Sequence, residues 1–492
     1  MHRFCTISVD IPANLQYKKA SLLLIYWRVP WTNAKGERMK GETPKLPYGH
    51  FNQVNFFGRP LSQKYGPVYY IWHCLTPVIV LSDAEAIRSF YTDHYSHKRD
   101  RDFTCLGAVW KQVFGDCLAN SYGRNEVRRC RGPFEKFFTT NFVTSFLPVI
   151  GRECNLFLGS LPTNTPVDLM KQGLSTVTLR VLVQTVYGEE VLQKYFRRIV
   201  EINDELQETM DLFSLVETKL PFYSKLPTKV NQKAQAFNRT WSDFNRFLFK
   251  EYEEGRLNSS SDGLFFTMME QLRCNALELK EQELLHSIDE ILLLNVDVSF
   301  AATSFALSDI AGYPEVQEKL RQELDGALQG QEPSTFQDLD KRLPYMEMVL
   351  KESARMHPAL ALSLPERTVK PVTDMAGFQI PEGTTVCVDT HSLNFSEKYW
   401  KNPEQFQPER FAEGTRQIPG SYFRFGMGPR KCLGYRYALA ITRIVVASVL
   451  QKYSIRLAEP TAPDKVKTGG MPFFTPYLCP DIVFVDRCPE KV

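Results

Sequence analysis

The ten residues Phe425–Gly434, FGMGPRKCLG, run directly into YRYALAITRIVVASVLQKY, and these two stretches decide how the chain is read. After Gly434 the apolar positions Ile441, Ile444, Val445 and Val449 recur at helical spacing, which places Cys432 just before or at a helix N-terminus. Unpaired backbone N–H groups there, and the positive end of the helix dipole, favour an anionic sulfur, so a thiolate is expected at this one cysteine. Gly426 and Gly428 clear side chains from the approach to the sulfur, which leaves room for a flat cofactor and lets backbone amides reach a thiolate. Phe425 would screen that face from water, and Gly434 permits close approach of the following helix. Arg430 offers a guanidinium fork that matches a carboxylate on the edge of such a cofactor. Most isolated cysteines in a glycine turn are buried free thiols. Six fixed positions at average residue usage nevertheless match by chance in a chain of this length only about once in 10⁵.

The surrounding chain has 492 residues, 43% hydrophobic, 23% charged and 12% aromatic, the usage of a folded protein with a sizeable core. Disorder, a collagen-like repeat and a disulfide-stapled mini-scaffold are excluded. A net charge of +3 is too small to argue for a nucleic-acid partner. The 11 cysteines run from Cys5 to Cys488 without CxxC pairs, which favours a reducing compartment over a disulfide framework or structural zinc. Neither an internal repeat nor a linker block interrupts the chain, so one continuous body is expected. PVYYIWHCLTPVIVLSD reads as two strands around a short turn, with Ser82 or Asp83 capping a helix. From about Glu126 to Gly330 the pattern is helical. Within it, the sparsely charged stretch from Leu284 to Gly312 is apolar nearly all round and belongs in the centre of the protein. MAGFQIPEGTTVCVDTHSL reads as a hairpin around Pro381 and Gly383, and CPDIVFVDR as a further strand. The fold class is therefore mainly α with a minor β part. The apolar run Ala20–Trp27 is shorter than the roughly 20 residues that cross a bilayer. Residues 1–43 are read as an N-terminal segment: an interfacial anchor with Trp27 and Trp31 at headgroup depth, or part of a chain that starts further upstream. Residues 44–492 are read as the catalytic body.

FGMGPRKCLG resembles the haem-ligand loop of the cytochrome P-450 family. The resemblance extends from about Pro44 to the C-terminus and is strongest between Pro314 and Leu450. It implies a single-domain P-450 fold in which haem b lies between a long central distal helix and the proximal helix that follows the cysteine loop, with Cys432 as axial ligand. Glu352 and Arg355, three apart in LPYMEMVLKESARMHP, would alone be an ordinary helix-surface pair. Followed by PEQFQPERF they resemble the family's ExxR helix and its later arginine segment, which implies a structural triad of Glu352, Arg355 and Arg410 around the loop. Arg430, Arg367 in LSLPERTV and Arg131 in EVRRCRGPFEKFF fall where the family places propionate-binding arginines. Val127 stands where the family has tryptophan, so Arg128 is a substitute for Arg131. The cluster Arg124, Arg128, Arg129 and Arg131 also reads as an exposed basic face.

The family's acid-alcohol pair aligns with Asn295, Val296, Asp297 and Val298; the threonine is absent, and Ser299 lies about 100° further round the helix. The resemblance implies reductive activation of O₂, with Asp297 supplying protons through water and Asn295 or Ser299 positioning that water. No dinucleotide-binding fingerprint is present, so electrons would come from elsewhere; the resemblance implies an NADPH-dependent reductase, docking near Lys431 and Arg436. Phe103, Leu106, Trp110 and Phe114, with Leu294 and Val298, make a candidate pocket for a medium-sized apolar organic substrate. IYWRVPW and NVDVS resemble fungal secondary-metabolism members. Membrane association at the cytosolic face of the endoplasmic reticulum follows by the same resemblance. Two other readings stand beside this one: a haem-thiolate isomerase, dehydratase or peroxygenase that needs no reductase, and a non-catalytic haem-binding protein.

Overall fold

The computed structural model describes residues 31–43, 50, 59–73, 76–92, 97–99, 112–118, 123–169, 172–213, 223–257, 263–415, 417–459 and 479–487. The candidate pocket residues Phe103, Leu106 and Trp110 lie outside these ranges. Strands β1 (Val68–His73) and β2 (Thr76–Leu81) form the expected antiparallel hairpin, in register from Val68–Leu81 to His73–Thr76. Asp83 then starts helix α1 (Ala84–Thr92) by accepting the Glu85 and Ala86 N–H groups on Oδ1.

Downstream lie β3 (His97–Arg99), α2 (Gly123–Glu135), β4 (Pro166–Val167) and α3 (Leu174–Tyr187). The central helix is built in three parts: α4 (Glu281–Asp289), a π-helical turn (Glu290–Leu294) and α5 (Asn295–Gly312). At its start the Glu283 carboxylate accepts the Lys280 N–H. Its composition would suit a membrane span, but the helix is mostly buried inside the protein. Pro314 opens α6 (Pro314–Leu328), as proline at a first helical position does. The Glu323 carboxylate of α6 accepts the Tyr345 and Met346 N–H groups at 2.6 and 2.9 Å, capping α7 (Pro344–Met356) from outside.

Four short strands follow, β5 (Glu366–Thr368), β6 (Val372–Met375), β7 (Phe378–Ile380) and β8 (Thr385–Val388), and then α8 (Tyr435–Lys452), β9 (Tyr453–Leu457) and β10 (Ile482–Asp486). They complete a five-stranded sheet ordered β1-β2-β8-β5-β3, a three-stranded sheet β4-β10-β9 and the pair β6-β7.

The expected hairpin around Pro381 and Gly383 is displaced. The turn is at Ala376 and Gly377, both left-handed (φ 50° and 89°), and it joins β6 to β7. Pro381–Gly383 instead carries the chain into β8, which lies parallel to β2 and antiparallel to β5. Proline and glycine mark a chain reversal but do not say which strands it joins.

The largest core cluster gathers residues of α3, α4, α5 and α8, and a second covers the five-stranded sheet. Trp31 and Met39 belong to that second cluster. Trp31 is 3% exposed, edge-on to Tyr70 at 6.0 Å, and residues 32–41 form bridges to Phe378 and Tyr70. The Trp31 indole is thus packed against protein rather than at headgroup depth, and residues 31–43 join the body from which the expected boundary separated them.

Candidate active site

The cysteine loop is closed by backbone bonds. Cys432 N–H donates to Phe425 O at 2.9 Å, and Lys431 N–H donates to Gly428 O at 3.1 Å across a 3-10 turn, Gly428–Arg430. Gly426 and Gly428 have φ of 73° and 65°, left-handed values that explain glycine at both positions. Arg131, on α2, extends into this loop and donates through Nη1 to Pro429 O and Lys431 O at 3.3 and 2.8 Å, while its Nε pairs with Glu135. Arg131 thus pins the backbone around Cys432 through these loop carbonyls. Arg129, from the same basic cluster, is tied to Glu283 through both terminal nitrogens at 2.8 and 2.7 Å. That part of α2 is a helix contact rather than free surface charge.

Cys432 and Cys274 are the exposed cysteines among the described residues; Cys117, Cys130, Cys154 and Cys387 are buried. The Cys432 residue is solvent-accessible beside a recess of about 430 Å³ bordered by Arg131, Phe138, Tyr435 and Arg436. Desolvation pushes the thiol pKa above its ordinary value, opposed by the Gly434 N–H and the charges of Arg131 and Lys431. Without a bound cation, desolvation at this thiol opposes the pull of the helix N-terminus towards the thiolate. Coordination to a metal cation is what deprotonates a thiol outright in such a setting. Glu290 also raises this pKa, so the π turn of the central helix lies within electrostatic reach of the cysteine loop.

The three triad residues, far apart in sequence, meet in the core. Glu352 and Arg355 on α7 are both 0% exposed and joined twice, Nε to Oε2 at 2.8 Å and Nη2 to Oε1 at 2.9 Å. Arg410 Nε and Gln407 N–H add two more donors to Glu352 Oε1, each at 2.9 Å. The remaining guanidinium hydrogens hold backbone: Arg355 donates to Asn394 O, and Arg410 to Lys401 O and Gln405 O. A buried charge is tolerated when each lone pair and proton has a partner, and here nearly all do. The segment 394–410, which leads towards the cysteine loop, is fixed to α7 by this network. Tyr422 OH extends it by donating to Lys351 O.

On α5 one face opens. Most of its described side chains are buried, but Val298, Ser299 and Ala302 are half-exposed, and a rotation of about 100° per residue puts the three on one face. Thr303, a turn beyond Ser299, meets Thr442 of α8 at 3.0 Å, where the two helices converge. The opening thus lies on the side of α5 near α8 and the loop that precedes it. Of the side chains at Leu294, Asn295 and Asp297 only their helical positions are described, in the π turn and first turn of α5. Phe114 is wholly buried in the main core, so it presents no surface to a ligand as the pocket reading expected. Arg367 lies on β5 with Nε donating to Gly383 O, and half-buried Arg430 reaches Leu118 O at 3.5 Å.

Three features suit a flat, apolar group with an anionic edge: a cysteine loop stripped of side chains at 426 and 428, a helix face opened at 298, 299 and 302, and the half-buried Arg367 and Arg430. The cytochrome P-450 family model matches residues 40–477. The chain belongs to the cytochrome P-450 family. Lithocholate 6-beta-hydroxylase of Mesocricetus auratus is 27% identical over 475 residues, covering 90% of each chain. Cytochrome P-450 3A7 of Homo sapiens is 26% identical over 486 residues, 92% of each. The cytochrome P-450 monooxygenase verC of Clonostachys rogersoniana is 28% identical over 441 residues, 87% of this chain and 84% of its own. As a P-450, the protein is an oxidoreductase of the monooxygenase type whose cofactor is haem b with a cysteine as axial ligand.

Sequence reading missed four features around the cysteine loop, the central helix and β5. These are the loop-pinning role of Arg131, the Thr303–Thr442 contact, the Glu290 carboxylate at the π turn, and the buried Glu366 that accepts Tyr91 OH at 2.8 Å beside the loop residue Phe423. The run of Arg124 to Arg131 hinted at the first; the others depend on pairings between distant segments that no local pattern encodes.

Proposed function

We propose that Cys432 is the axial ligand and that the enzyme oxidises a medium-sized, largely apolar organic substrate with O₂ and electrons from an NADPH-dependent reductase, in secondary-metabolite biosynthesis at a membrane. The observation that supports this reading is the backbone-closed glycine loop that carries Cys432 into the start of α8, the helix that meets α5 at Thr303–Thr442. Haem bound there supplies activation of O₂, with one oxygen atom entering the substrate and the other leaving as water. Arg430 and Arg367 bind the propionates, each offering guanidinium hydrogens to a carboxylate. Arg131 keeps the loop carbonyls paired so that the Gly434 N–H stays aimed at the sulfur. Val298 has no hydrogen-bonding group, so Ser299, on the open face, positions water, with Asn295 as its alternative. Asp297 delivers protons to that water. Val298, on the open face, turns apolar surface to the substrate, and Leu294, Phe103, Leu106 and Trp110 are the further pocket residues that the sequence offers. The relative named for hydroxylating lithocholate supports a substrate of that size and polarity. The reductase docks on the cysteine side, where Lys431 is exposed and Arg436 borders the recess.

One observation favours a second reading: valine at 298 suits P-450 chemistry that consumes a peroxide or rearranges its substrate. Purified enzyme assayed with reductase, NADPH and O₂, and separately with peroxide alone, separates the two. Turnover with NADPH that falls at least tenfold in Asp297→Asn at unchanged haem content is expected. Turnover with peroxide only would replace the monooxygenase reading with the second.

A further inference from the structure

The side of α5 turned away from the opening carries a polar stripe that the proposed site does not use. At about 100° per residue, positions 297, 301, 304 and 308 fall within an arc of about 60°, on the side of the helix away from Val298, Ser299 and Ala302. They are occupied by Asp297, Ala301, Ser304 and Ser308. Ser304 is 0% exposed and its hydroxyl has no hydrogen-bond partner among the described residues. That is unusual inside a helix, where a buried hydroxyl ordinarily bonds the carbonyl four residues back, as Thr303 does to Ser299 O at 3.1 Å. One turn before Ser304 stands a bare methyl, Ala301, itself 2% exposed. One turn after it, Ser308 hydrogen-bonds the Cys479 thiol from the neighbouring loop. A buried orphan hydroxyl beside a small side chain is the setting in which proteins hold an ordered water.

We propose that Ser304 is a positioning residue for proton supply: its hydroxyl holds buried water on the back of the distal helix, and that water connects the interior to Asp297. The proposal rests on the monooxygenase reading above and deepens it. Coupled turnover is RH + O₂ + NADPH + H⁺ → ROH + H₂O + NADP⁺. When protons reach the site too slowly or in the wrong place, the same electrons leave as NADPH + H⁺ + O₂ → H₂O₂ + NADP⁺. Peroxide brings its own protons and both oxygen atoms, so turnover supported by peroxide does not draw on the relay. Valine at 298 removes the usual hydroxyl near the reacting centre and makes a supply from behind the helix more important. Positions 297 and 304 are about 10 Å apart along the axis, a gap that two hydrogen-bonded waters span.

The test compares the wild-type holoenzyme with Ser304→Ala and Ser304→Thr. Product formed per NADPH, H₂O₂ released, the rate ratio in H₂O against D₂O, and turnover with peroxide alone are measured, alongside haem content and thermal midpoint. Ser304→Ala is expected to keep its haem, lose about tenfold in product per NADPH with a matching rise in H₂O₂, change the solvent isotope ratio and leave peroxide turnover within twofold. Ser304→Thr, which keeps a hydroxyl, restores coupling. A crystal structure of the wild type is expected to show water about 3 Å from Ser304 Oγ. A Ser304→Ala enzyme as well coupled as the wild type, an equal loss in the NADPH and peroxide assays, or a dry Ser304 would each overturn the proposal. A wild type that consumes no NADPH with any reductase would overturn the monooxygenase reading itself, a failure visible before any variant is compared.

Discussion

Replacing Arg355 by methionine removes a cation from a site where both charges are wholly buried. Two hydrogen bonds to Glu352, at 2.8 and 2.9 Å, disappear and Asn394 O loses its donor. The side chain also leaves its place between the rings of Phe395 and Trp400, 5.5 and 5.6 Å from its guanidinium carbon. Glu352 keeps Arg410 Nε and the Gln407 N–H, so its charge is under-compensated rather than naked. Breaking a buried pair from one side costs about 3–5 kcal/mol. Set against a total stability of about 5–15 kcal/mol, that is a large share. Arg355→Lys restores the charge without the planar fork and should recover only part of the loss. Glu352→Leu/Arg355→Met removes both charges together and should cost less than the two single changes summed, because Arg410 retains carbonyl partners at Lys401 and Gln405. Urea unfolding followed by far-ultraviolet circular dichroism gives the stabilities of the wild type, the three single variants including Glu352→Leu, and the double variant, and bound haem is measured on the same samples. An Arg355→Met enzyme within about 1 kcal/mol of the wild type, or a double variant that costs the full sum, would refute the claim that this pair is a desolvated clamp.

Gly428→Ala should lower stability by about 1–2 kcal/mol and reduce haem retention, because φ of 65° is unfavourable for alanine, while its Cβ would meet Tyr91 only at an ordinary 3.5 Å; thermal midpoint and haem content check this. Arg131→Gln should speed haem loss to an acceptor apoprotein with little change in overall helicity, since it unpins Pro429 O and Lys431 O. Burial raises the Asp289 carboxyl to about 7, against the opposing pull of His286 at 3.4 Å. Its folded value lies above its unfolded one, so the folded state holds the proton more tightly. Its contribution to stability is complete below about pH 4 and is lost as the pH rises towards 7. Asp289→Asn should flatten stability against pH across that window in urea titrations; an unchanged slope would assign the dependence elsewhere.

The fold class and its main elements were legible because each rests on a local pattern. Spacing after Gly434 marked α8, the uncharged run from Leu284 marked the central helix, and PVYYIWH with TPVIVL marked the first hairpin. Glu352 and Arg355 were legible only as a surface pair until Arg410, 55 residues after Arg355 in the numbering, was brought in by the resemblance. Their complete burial was not legible, because burial depends on what packs over a helix and not on its own sequence. The same limit explains Arg131: its type and position were visible, but the carbonyls it holds belong to residues nearly 300 positions away. It also explains Trp31, where an aromatic beside basic residues suits a membrane surface and a β-sheet edge equally well. The thiol of Cys432 shows a balance that sequence cannot weigh, since its helix N-terminus was visible and the desolvation opposing it was not.

The absorption spectrum of the reduced, carbon monoxide-bound protein tests the central claim most directly, measured on the wild type and on Cys432→Ser at matched haem content. The account predicts that the wild type shows the long-wavelength band from which the family takes its name, and that the serine variant shifts to the shorter-wavelength band of a haem without a thiolate. An unshifted band in Cys432→Ser would place the sulfur ligand at another cysteine and contradict the site built around this loop.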